Sequence, residues 1–489
     1  MTSGRYPTTS KMAQLTRAGR RRAGTLASLI LLLAGALLVG AVHAAPEEKT
    51  ETAPAVHEYA LGNGMKLLVK EDHRAPVVVS QVWYKVGSSY EHDGITGVSH
   101  ALEHMMFKGT RKHPGGEFSR IVSENGGREN AFTGRDYTAY YQQLEQSRLA
   151  ISFELEADRM RNLTLPADEF AKELKVVQEE RRLRTEDDPE ALTYEQFMAA
   201  AFVTSPYHHP VIGWMNDLDA MQIDDLRAWY RTWYAPNNAT LVVVGDVDPE
   251  AVYKLARKYF GALKSSRIPA QKPRLEITQH GERRITVKAP AQLPYLIMGY
   301  KVPILRTVED DDEIYALEVL AGILDGGDSA RISTRLIRDQ RIAASAGAGY
   351  NPYSRLDDLF ILSGTPAQGH DAAELEQALL HEIQRLRDEP VTTEELDRIK
   401  TQVIAADVYQ RDSVFYQAMQ LGMLETVGLD WRLADAYVGR IRAVTAEQVQ
   451  AVARKYLNAD RLTVAVLDPQ PIDPSRPPPA MGAGGHDLR

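Results

Sequence analysis

Cysteine is absent from all 489 residues of the chain. The protein therefore forms no disulfide, offers no thiolate to a metal ion, and has no cysteine nucleophile. Any metal that it binds must be held by histidine and carboxylate side chains. The absence also excludes a lipoprotein, because lipid attachment at a bacterial N-terminus requires a cysteine.

An excess of positive charge is also lacking. The chain has 57 Lys and Arg against 66 Asp and Glu, for a formal net charge of −9. Nucleic-acid binding requires a concentrated basic surface, so we expect no nucleic-acid partner. Apolar residues, by contrast, make up 44% of the chain, and its length predicts roughly two to four domains with their own cores.

The first 44 residues have the parts of a signal peptide. A basic region with Arg17 and Arg20–Arg22 precedes an apolar stretch over 23–42, which ends in Val42-His43-Ala44. Small residues at that end suit signal peptidase, so we predict cleavage, a linker over 45–56, and a periplasmic or secreted protein with no stable membrane insertion. The alternative is an uncleaved membrane anchor that leaves the protein facing the periplasm. Lack of cysteine favours a bacterial periplasm.

Strand and helix patterns alternate beyond this segment. Two strands flank the hairpin signal Asn63-Gly64, a third covers 77–86, and a helix begins near Ile95. Further helices are predicted over 147–161, 166–185, 189–201, 224–235 and 249–259, with a strand at 241–245. The stretch 265–275 is predicted to be a linker, and the Pro/Gly-rich 471–489 a disordered tail.

The second half of the chain repeats the first. Tyr84-Lys85-Val86 recurs as Tyr300-Lys301-Val302 at an offset of 216 residues. The Ala-Leu-Glu of 101–103 recurs at 316–318, at an offset of 215 residues, and a closing strand unit follows in the same order. Ordered matches at a nearly constant offset indicate two copies of one fold.

The repeat predicts the fold class. We expect an α+β protein of two tandem homologous domains of about 210 residues, each a mostly antiparallel sheet packed against helices. The first domain would cover 57–264 and carry the metal site described next. The second, over 276–470, would be an inactive homologous domain.

The repeated helix in the first copy has the sequence His100-Ala101-Leu102-Glu103-His104. Histidines four residues apart project from one helix face, so their imidazole nitrogens can converge on one zinc ion. Glu103 is placed to take a proton from a water molecule activated by that metal. In the second copy Tyr315 and Val319 replace both histidines, so the helix packs without them.

A third ligand is expected on the helix over 166–185. Its apolar residues are Phe170, Leu174, Val176, Val177 and Leu183. On a helical wheel Glu173 and Glu180 fall within the arc of these residues, and Glu179 falls just outside it. A carboxylate on a buried face needs a compensating charge, which zinc would supply for Glu180, while Glu173 would orient a ligand. The alternative is that Glu180 only pairs with Arg181 or Arg184.

These residues resemble those of the pitrilysin-like inverzincin zinc metallopeptidases, in their short bacterial and processing-peptidase branch. The family pattern is His-x-x-Glu-His followed at a distance by Glu, and here Glu180 lies 76 residues after His104. The resemblance covers nearly the whole mature chain. It implies one Zn²⁺ per chain held by His100, His104 and Glu180, with Glu103 as the general base and Glu173 as a supporting catalytic residue.

The resemblance also implies where a peptide substrate binds. Gly126-Gly127 and Asn130-Ala131-Phe132-Thr133 match a family stretch that forms an edge strand beside the zinc. Substrate adds there as a further strand, so Asn130, Ala131 and Thr133 are expected to bind it. A later Arg and, seven residues on, a Tyr usually help to hold substrate. Arg338 fits this pattern, but Ser345 stands where the tyrosine is expected.

The function implied is a zinc-dependent endopeptidase that hydrolyses peptides or unfolded segments. The alternative is a non-catalytic structural or peptide-binding subunit of the same family. Ser345 favours a dimer in which this chain carries the zinc and a sister subunit supplies the Arg/Tyr pair, with a homodimer as the alternative. The adjacent His208 and His209 are expected to be structural or surface residues.

Overall fold

The computed structural model describes residues 55–272 and 274–472. The predicted signal peptide and almost all of the predicted C-terminal tail lie outside these residues. Within the described part of the chain, no helix is both long enough and apolar enough to cross a membrane.

Strands make up two sheets. In chain order the strands of the described residues are β1 (Val56–Ala60), β2 (Lys66–Glu71), β3 (Val77–Tyr84), β4 (Arg128–Thr133), β5 (Thr138–Glu145), β6 (Ala239–Gly245), β7 (Arg283–Pro290), β8 (Tyr295–Val302), β9 (Ala343–Gly349), β10 (Asp358–Pro366) and β11 (Leu462–Gln470).

Helices connect and cover these strands. The α-helices of the described residues are α1 (Val98–Met105), α2 (Glu117–Glu124), α3 (Leu149–Asn162), α4 (Ala167–Arg181), α5 (Pro189–Ala201), α6 (Met215–Ala220), α7 (Ile223–Trp233), α8 (Pro249–Tyr259), α9 (Asp311–Asp325), α10 (Ala372–Asp388), α11 (Thr393–Gln410), α12 (Val414–Val427), α13 (Leu433–Ala443) and α14 (Ala446–Tyr456). A π-helix, Arg182–Glu186, continues α4, and another, Ile332–Asp339, precedes β9.

The two sheets have the same topology. The first has the strand order β1-β2-β6-β3-β5-β4, and the second has the order β7-β11-β8-β10-β9. Only β2 with β6 and β7 with β11 pair in parallel, and every other neighbouring pair is antiparallel. Apart from β1, each strand of the first sheet therefore has a counterpart in the second. The α+β fold of two homologous domains is confirmed.

The repeated sequences occupy equivalent positions. Tyr84 ends β3 and Tyr300 lies in β8, the third strand from the β4 edge and from the β9 edge respectively, and both are buried. The repeated Ala-Leu-Glu lies on α1 in the first domain and on α9 in the second. The motif that is predicted to bind metal thus lies on a helix that both domains share.

Side chains alternate between the two faces of each strand, so each sheet has two apolar faces. One face packs against helices of the same domain and forms its main core. The other face of the first sheet includes Leu68, Trp83 and Val242, and it packs against Ala418 and Leu421 of α12, a helix of the second domain. Part of the first sheet's core is therefore supplied by the second domain.

A helix of the first domain packs on the second sheet in the same way. Its face with Ile297, Leu359 and Ala465 packs against Phe197 and Met198 of α5, a helix of the first domain. Each domain thus covers a sheet face of the other. Burying such a face is worth roughly 25 cal/mol per Å² of apolar surface removed from water, so this exchange stabilises the contact between the domains.

Helix α12 packs so closely against Trp83 that the helix residue at the contact has no room for a side chain. A Cβ atom added to Gly422 would lie 2.1 Å from Trp83 Nε1. Gly422→Ala is therefore expected to lower the free energy of unfolding by about 1–3 kcal/mol, measured by urea denaturation. Gly439 on α13 has open space around its Cα. Gly439→Ala is a matched control, expected to be neutral or to stabilise by up to about 1 kcal/mol. Equal effects of both substitutions would contradict this interface.

Candidate metal centre

The helix that carries the histidines has a defined start. Gly97 precedes α1 with φ of 88°, and a Cβ at this position would lie 2.5 Å from Ile212 O. The buried carboxylate of Glu91 accepts hydrogen bonds from Gly97 N (2.7 Å) and Ser99 N (2.8 Å). It thereby satisfies backbone N–H groups that the first turn of a helix leaves unpaired. With Leu102 buried in the core, the opposite face of α1 points its histidines toward α4.

The two histidines converge with a carboxylate of α4. Glu180 Oε2 lies 3.7 Å from His100 Nε2 and 3.4 Å from His104 Nε2, and the ligand atoms of the three residues all lie within 4.8 Å of one another. Tetrahedral zinc with bonds near 2.1 Å requires ligand atoms roughly 3.4 Å apart. The residues present therefore fit one zinc ion. Their role as ligands stays a prediction.

Glu180 combines both arrangements considered from the sequence. Its Oε1 accepts from Arg184 Nη1 at 2.7 Å, while its Oε2 faces the histidines. Arg181 does not pair with it, because its guanidinium binds Glu195 at 2.7 Å. The ion pair with Arg184 thus leaves one carboxylate oxygen available for a metal.

The buried face of α4 differs in part from the one predicted around Glu180. Val176 and Leu183 were counted in a buried arc, but they are 50% and 46% exposed. The buried side of α4 is narrower and includes Phe170 and Val177. Glu173 and Glu180 are nevertheless half-buried, because α1 packs beside them.

A chain of polar contacts orients His104. Its Nδ1 lies 3.1 Å from Glu173 Oε1, and Glu173 Oε2 accepts from Lys108 Nζ at 2.5 Å. An imidazole whose Nδ1–H donates to a carboxylate presents Nε2 to a metal in a fixed orientation. Glu173 therefore contacts a predicted ligand, as the sequence suggested. Lys108 was not identified from sequence, and only its position four residues after His104 hinted at it.

Burial and charge set the protonation of these groups. Burial, with a smaller effect of the neighbouring His104, lowers the pKa of His100 to about 4, so its imidazole is neutral at physiological pH. Burial also lowers the pKa of His104, but its hydrogen bonds to Glu180 and Glu173 outweigh that effect and the pKa is raised. Burial raises the pKa of Glu180, and the two histidines and Arg184 outweigh it, so the pKa is lowered.

Glu103 joins the metal centre to the edge of the first sheet. Its Oε2 accepts from Thr133 Oγ1 at 2.5 Å, and Thr133 ends β4. Burial raises the pKa of Glu103, with the Thr133 hydrogen bond opposing the shift. A carboxylate with a raised pKa beside a metal site can accept a proton and return it.

The structure places the predicted substrate residues in two regions. Asn130, Ala131 and Thr133 lie on β4, the edge strand of the first sheet, and Thr133 donates a hydrogen bond to the predicted base Glu103. Arg338 lies in the second domain, where it donates to Asp328 O (2.5 Å) and Thr334 Oγ1 (2.9 Å). Ser345 is exposed on β9, the edge strand of the second sheet. The contacts of Arg338 thus do not join it to the metal centre.

A second group of residues also lies within metal-binding distance. His208, His209 and Asp93 bring one ligand atom each to within 4.8 Å of the others. His209 Nε2 lies 3.0 Å from Asp93 Oδ1, and His208 Nδ1 lies 2.7 Å from Ser205 O. The Asp93 side chain is 94% exposed, so one of these three ligands is not held by packing.

The second domain uses the equivalent position differently. Glu318, the counterpart of Glu103, is partly buried and accepts a hydrogen bond from the Tyr437 hydroxyl. Burial raises its pKa to about 7. Tyr315 and Val319 are buried in the core of this domain. A hydrogen-bonded acid therefore replaces the ligand set of the first domain.

Comparison with known proteins agrees with this architecture. A profile described as "Insulinase (Peptidase family M16)" matches residues 66–213, and one described as "Peptidase M16 inactive domain" matches residues 220–403. The chain belongs to peptidase family M16. The inactive-domain profile covers much of the half that lacks the two histidines.

Several relatives are described as zinc proteases. The zinc protease PqqE of Helicobacter pylori is 35% identical over 356 residues, which cover 71% of this chain and 78% of that protein. The uncharacterized zinc protease YmxG of Bacillus subtilis is 26% identical over 420 residues, which cover 86% of this chain and all of that protein.

Solved structures show the same fold. The crystal structure of a protease from Helicobacter pylori matches with a TM-score of 0.81 and 30% identity, covering 85% of this chain and 100% of that one. The periplasmic protease PqqL from Escherichia coli matches with a TM-score of 0.71 and 18% identity, covering 86% of this chain and 49% of that one. At that identity the second match supports the fold alone.

The carboxylate behind His104 offers a test of the metal centre that leaves all three predicted ligands in place. Glu173→Gln is expected to weaken zinc binding by about 10–100-fold, because a neutral amide orients the imidazole less strongly. Competition with a chromogenic chelator measures the affinity. His208→Ala is the control and should leave the affinity of this centre unchanged. Loss of tight binding in the control alone would place the metal at the second group instead.

Proposed function

We propose that the protein is a zinc-dependent endopeptidase that hydrolyses peptides or unfolded polypeptide segments. The observation that carries the proposal is the convergence of His100, His104 and Glu180 at zinc-ligand distances, with Glu103 beside them. Membership of peptidase family M16 and the zinc-protease descriptions of its relatives support it.

The position of the edge strand supports an extended peptide as the substrate. Strand β4 pairs with β5 on one side only, which leaves backbone N–H and C=O groups on its other side for a further strand. The strand ends at Thr133, whose hydroxyl contacts Glu103. A peptide added along β4 would therefore pass beside the predicted base.

In the proposed mechanism one side chain, Glu103, transfers the proton. Bound zinc would supply Lewis-acid chemistry, polarising the scissile carbonyl and lowering the pKa of water toward about 7. The Glu103 carboxylate takes a proton from the attacking water and then donates it to the leaving amine, while Thr133 holds the carboxylate in place. Glu173 keeps the His104 ring oriented.

Replacing the proposed base separates catalysis from binding. Glu103→Gln is expected to keep one zinc ion per chain and to lower kcat by about 10²–10⁴-fold, because the amide cannot accept the proton. Cleavage of a fluorogenic peptide and metal analysis of the same sample measure both effects.

The second domain supplies the control for this experiment. Glu318→Gln changes the equivalent residue of the homologous helix and should leave cleavage unchanged. If neither the wild type nor either variant cleaves peptides while zinc stays bound, the chain is instead a structural or peptide-binding subunit.

The partner and compartment belong to the same proposal. Arg338 is present but Ser345 replaces the expected tyrosine, which favours a heterodimer in which a sister subunit provides the Arg/Tyr pair. The predicted signal peptide favours the periplasm. That PqqL, which shares the fold, is described as periplasmic is consistent with this location.

Reconstitution tests the heterodimer. The isolated chain is expected to cleave peptides weakly, and addition of the subunit that co-purifies from the native host should raise kcat/KM at least about tenfold through better substrate positioning. Size-exclusion chromatography with light scattering measures the stoichiometry. Full activity of the isolated chain as a homodimer would refute the heterodimer and leave the peptidase proposal intact.

A further inference from the structure

A largely buried polar cluster joins the two domains at the turn that follows β4. We call it the interdomain polar cluster; its members are Ser89, Arg135, Asp136, Arg355 and Asp358. Asp136, Asp358 and Ser89 are only 4%, 4% and 5% exposed. Each domain contributes charges of both signs, so each buried charge finds its partner across the interface.

Asp136 is the centre of this cluster. It lies in the turn that follows β4, three residues beyond Thr133. Its carboxylate accepts hydrogen bonds from Ser89 Oγ at 2.7 Å and from the Tyr207 hydroxyl. From the second domain, Arg355 donates its backbone N at 2.9 Å and its Nε at 3.3 Å.

Arg355 also reaches the segment that leads into the metal-binding helix. Its Nη2 donates to Ser89 Oγ at 2.8 Å and to Ser89 O at 3.3 Å, and its guanidinium lies 4.3 Å from the centroid of the Tyr90 ring. The next residue, Glu91, holds the first turn of α1. One arginine of the second domain thus contacts both the end of the substrate strand and the approach to the metal helix.

A second ion pair fixes the same turn. Arg135 donates to both carboxylate oxygens of Asp358, at 3.1 and 2.6 Å, and Asp358 begins β10. Backbone bonds tie the two segments of the first domain together, since Ser88 N donates to Gly134 O at 3.2 Å and Ser89 N donates to Arg135 O at 2.8 Å. The turn after β4 is therefore held by Arg355, by Asp358 and by the backbone of Ser88 and Ser89.

Adhesion between the domains does not require these charges. The exchanged helices α5 and α12 already bury apolar faces of both sheets. Desolvating ion pairs gains little net stability, but removing one partner leaves a buried charge unpaired. A directional network of this kind admits one geometry, whereas apolar surfaces tolerate small displacements.

We propose that Arg355 is a positioning residue for peptide cleavage: it fixes the end of β4 and the start of α1 relative to each other. The role rests on the proposed function. Through this contact the second domain, which lacks the metal ligands, keeps Thr133 against Glu103 and the substrate strand in register with the metal centre.

Hydrogen exchange tests the positioning role without any assay of catalysis. In full-length Arg355→Gln, the amides of Ser88, Ser89 and Gly134 are expected to exchange at least about tenfold faster. Local opening of these segments costs less free energy in the variant, because the contacts of Arg355 no longer have to be broken. Zinc content should stay at one ion per chain. For peptide cleavage we expect KM to rise about tenfold with a much smaller change in kcat.

The control removes a comparable arginine elsewhere. Arg331 is 9% exposed and pairs with Glu395 at 2.8 Å within the second domain. Arg331→Gln should leave the exchange of Ser88, Ser89 and Gly134 and the KM unchanged. Unchanged exchange in Arg355→Gln, or equal acceleration in both variants, overturns the proposal.

Two further outcomes are decisive. If Arg355→Gln does not fold, Arg355→Lys, which keeps the charge but not the second contact to Ser89, should accelerate the same amides severalfold, and failure to do so overturns the proposal. If exchange responds as expected while even the wild type cleaves no peptide, the positioning of β4 by Arg355 stands and the proposed function fails.

Discussion

Each sheet of this protein has an apolar face that the helices of its own domain do not cover. Helix α12 of the second domain covers the face around Trp83, and α5 of the first covers the face around Ile297. Neither half can bury both faces of its sheet alone. The domain without the two histidines is therefore part of the core of the domain that carries them, and packing requires it whatever its own chemistry.

Burial also constrains the candidate metal centre. His100, Glu103 and Glu180 occupy partly buried positions on facing helices, where unpaired charges are costly. One metal ion would offset the negative charges of Glu103 and Glu180. In the second domain the partly buried Glu318 accepts a hydrogen bond from the Tyr437 hydroxyl, and burial raises its pKa to about 7. Two copies of one helix thus tolerate a partly buried glutamate in different ways.

Much of this could be predicted from sequence because it depends on local periodicity. The spacing of His100 and His104 follows from the helical repeat, and the internal repeat gave the two-domain fold. The position of Glu180 was predicted partly on a wrong premise, since Val176 is exposed. Contacts between distant segments, such as Lys108 with Glu173 or Arg355 with Asp136, have no local pattern. The choice of which sheet an amphipathic helix covers has no local pattern either. The packing of α5 and α12 on the sheet of the other domain therefore could not be predicted from sequence.

We propose that one zinc ion lies between α1 and α4. Anomalous diffraction at the zinc absorption edge, from crystals of the metal-loaded chain, tests it most directly. We expect a single strong peak about 2.0–2.2 Å from His100 Nε2, His104 Nε2 and a carboxylate oxygen of Glu180. A peak at Asp93, His208 and His209 instead, or none between the two helices, would contradict it.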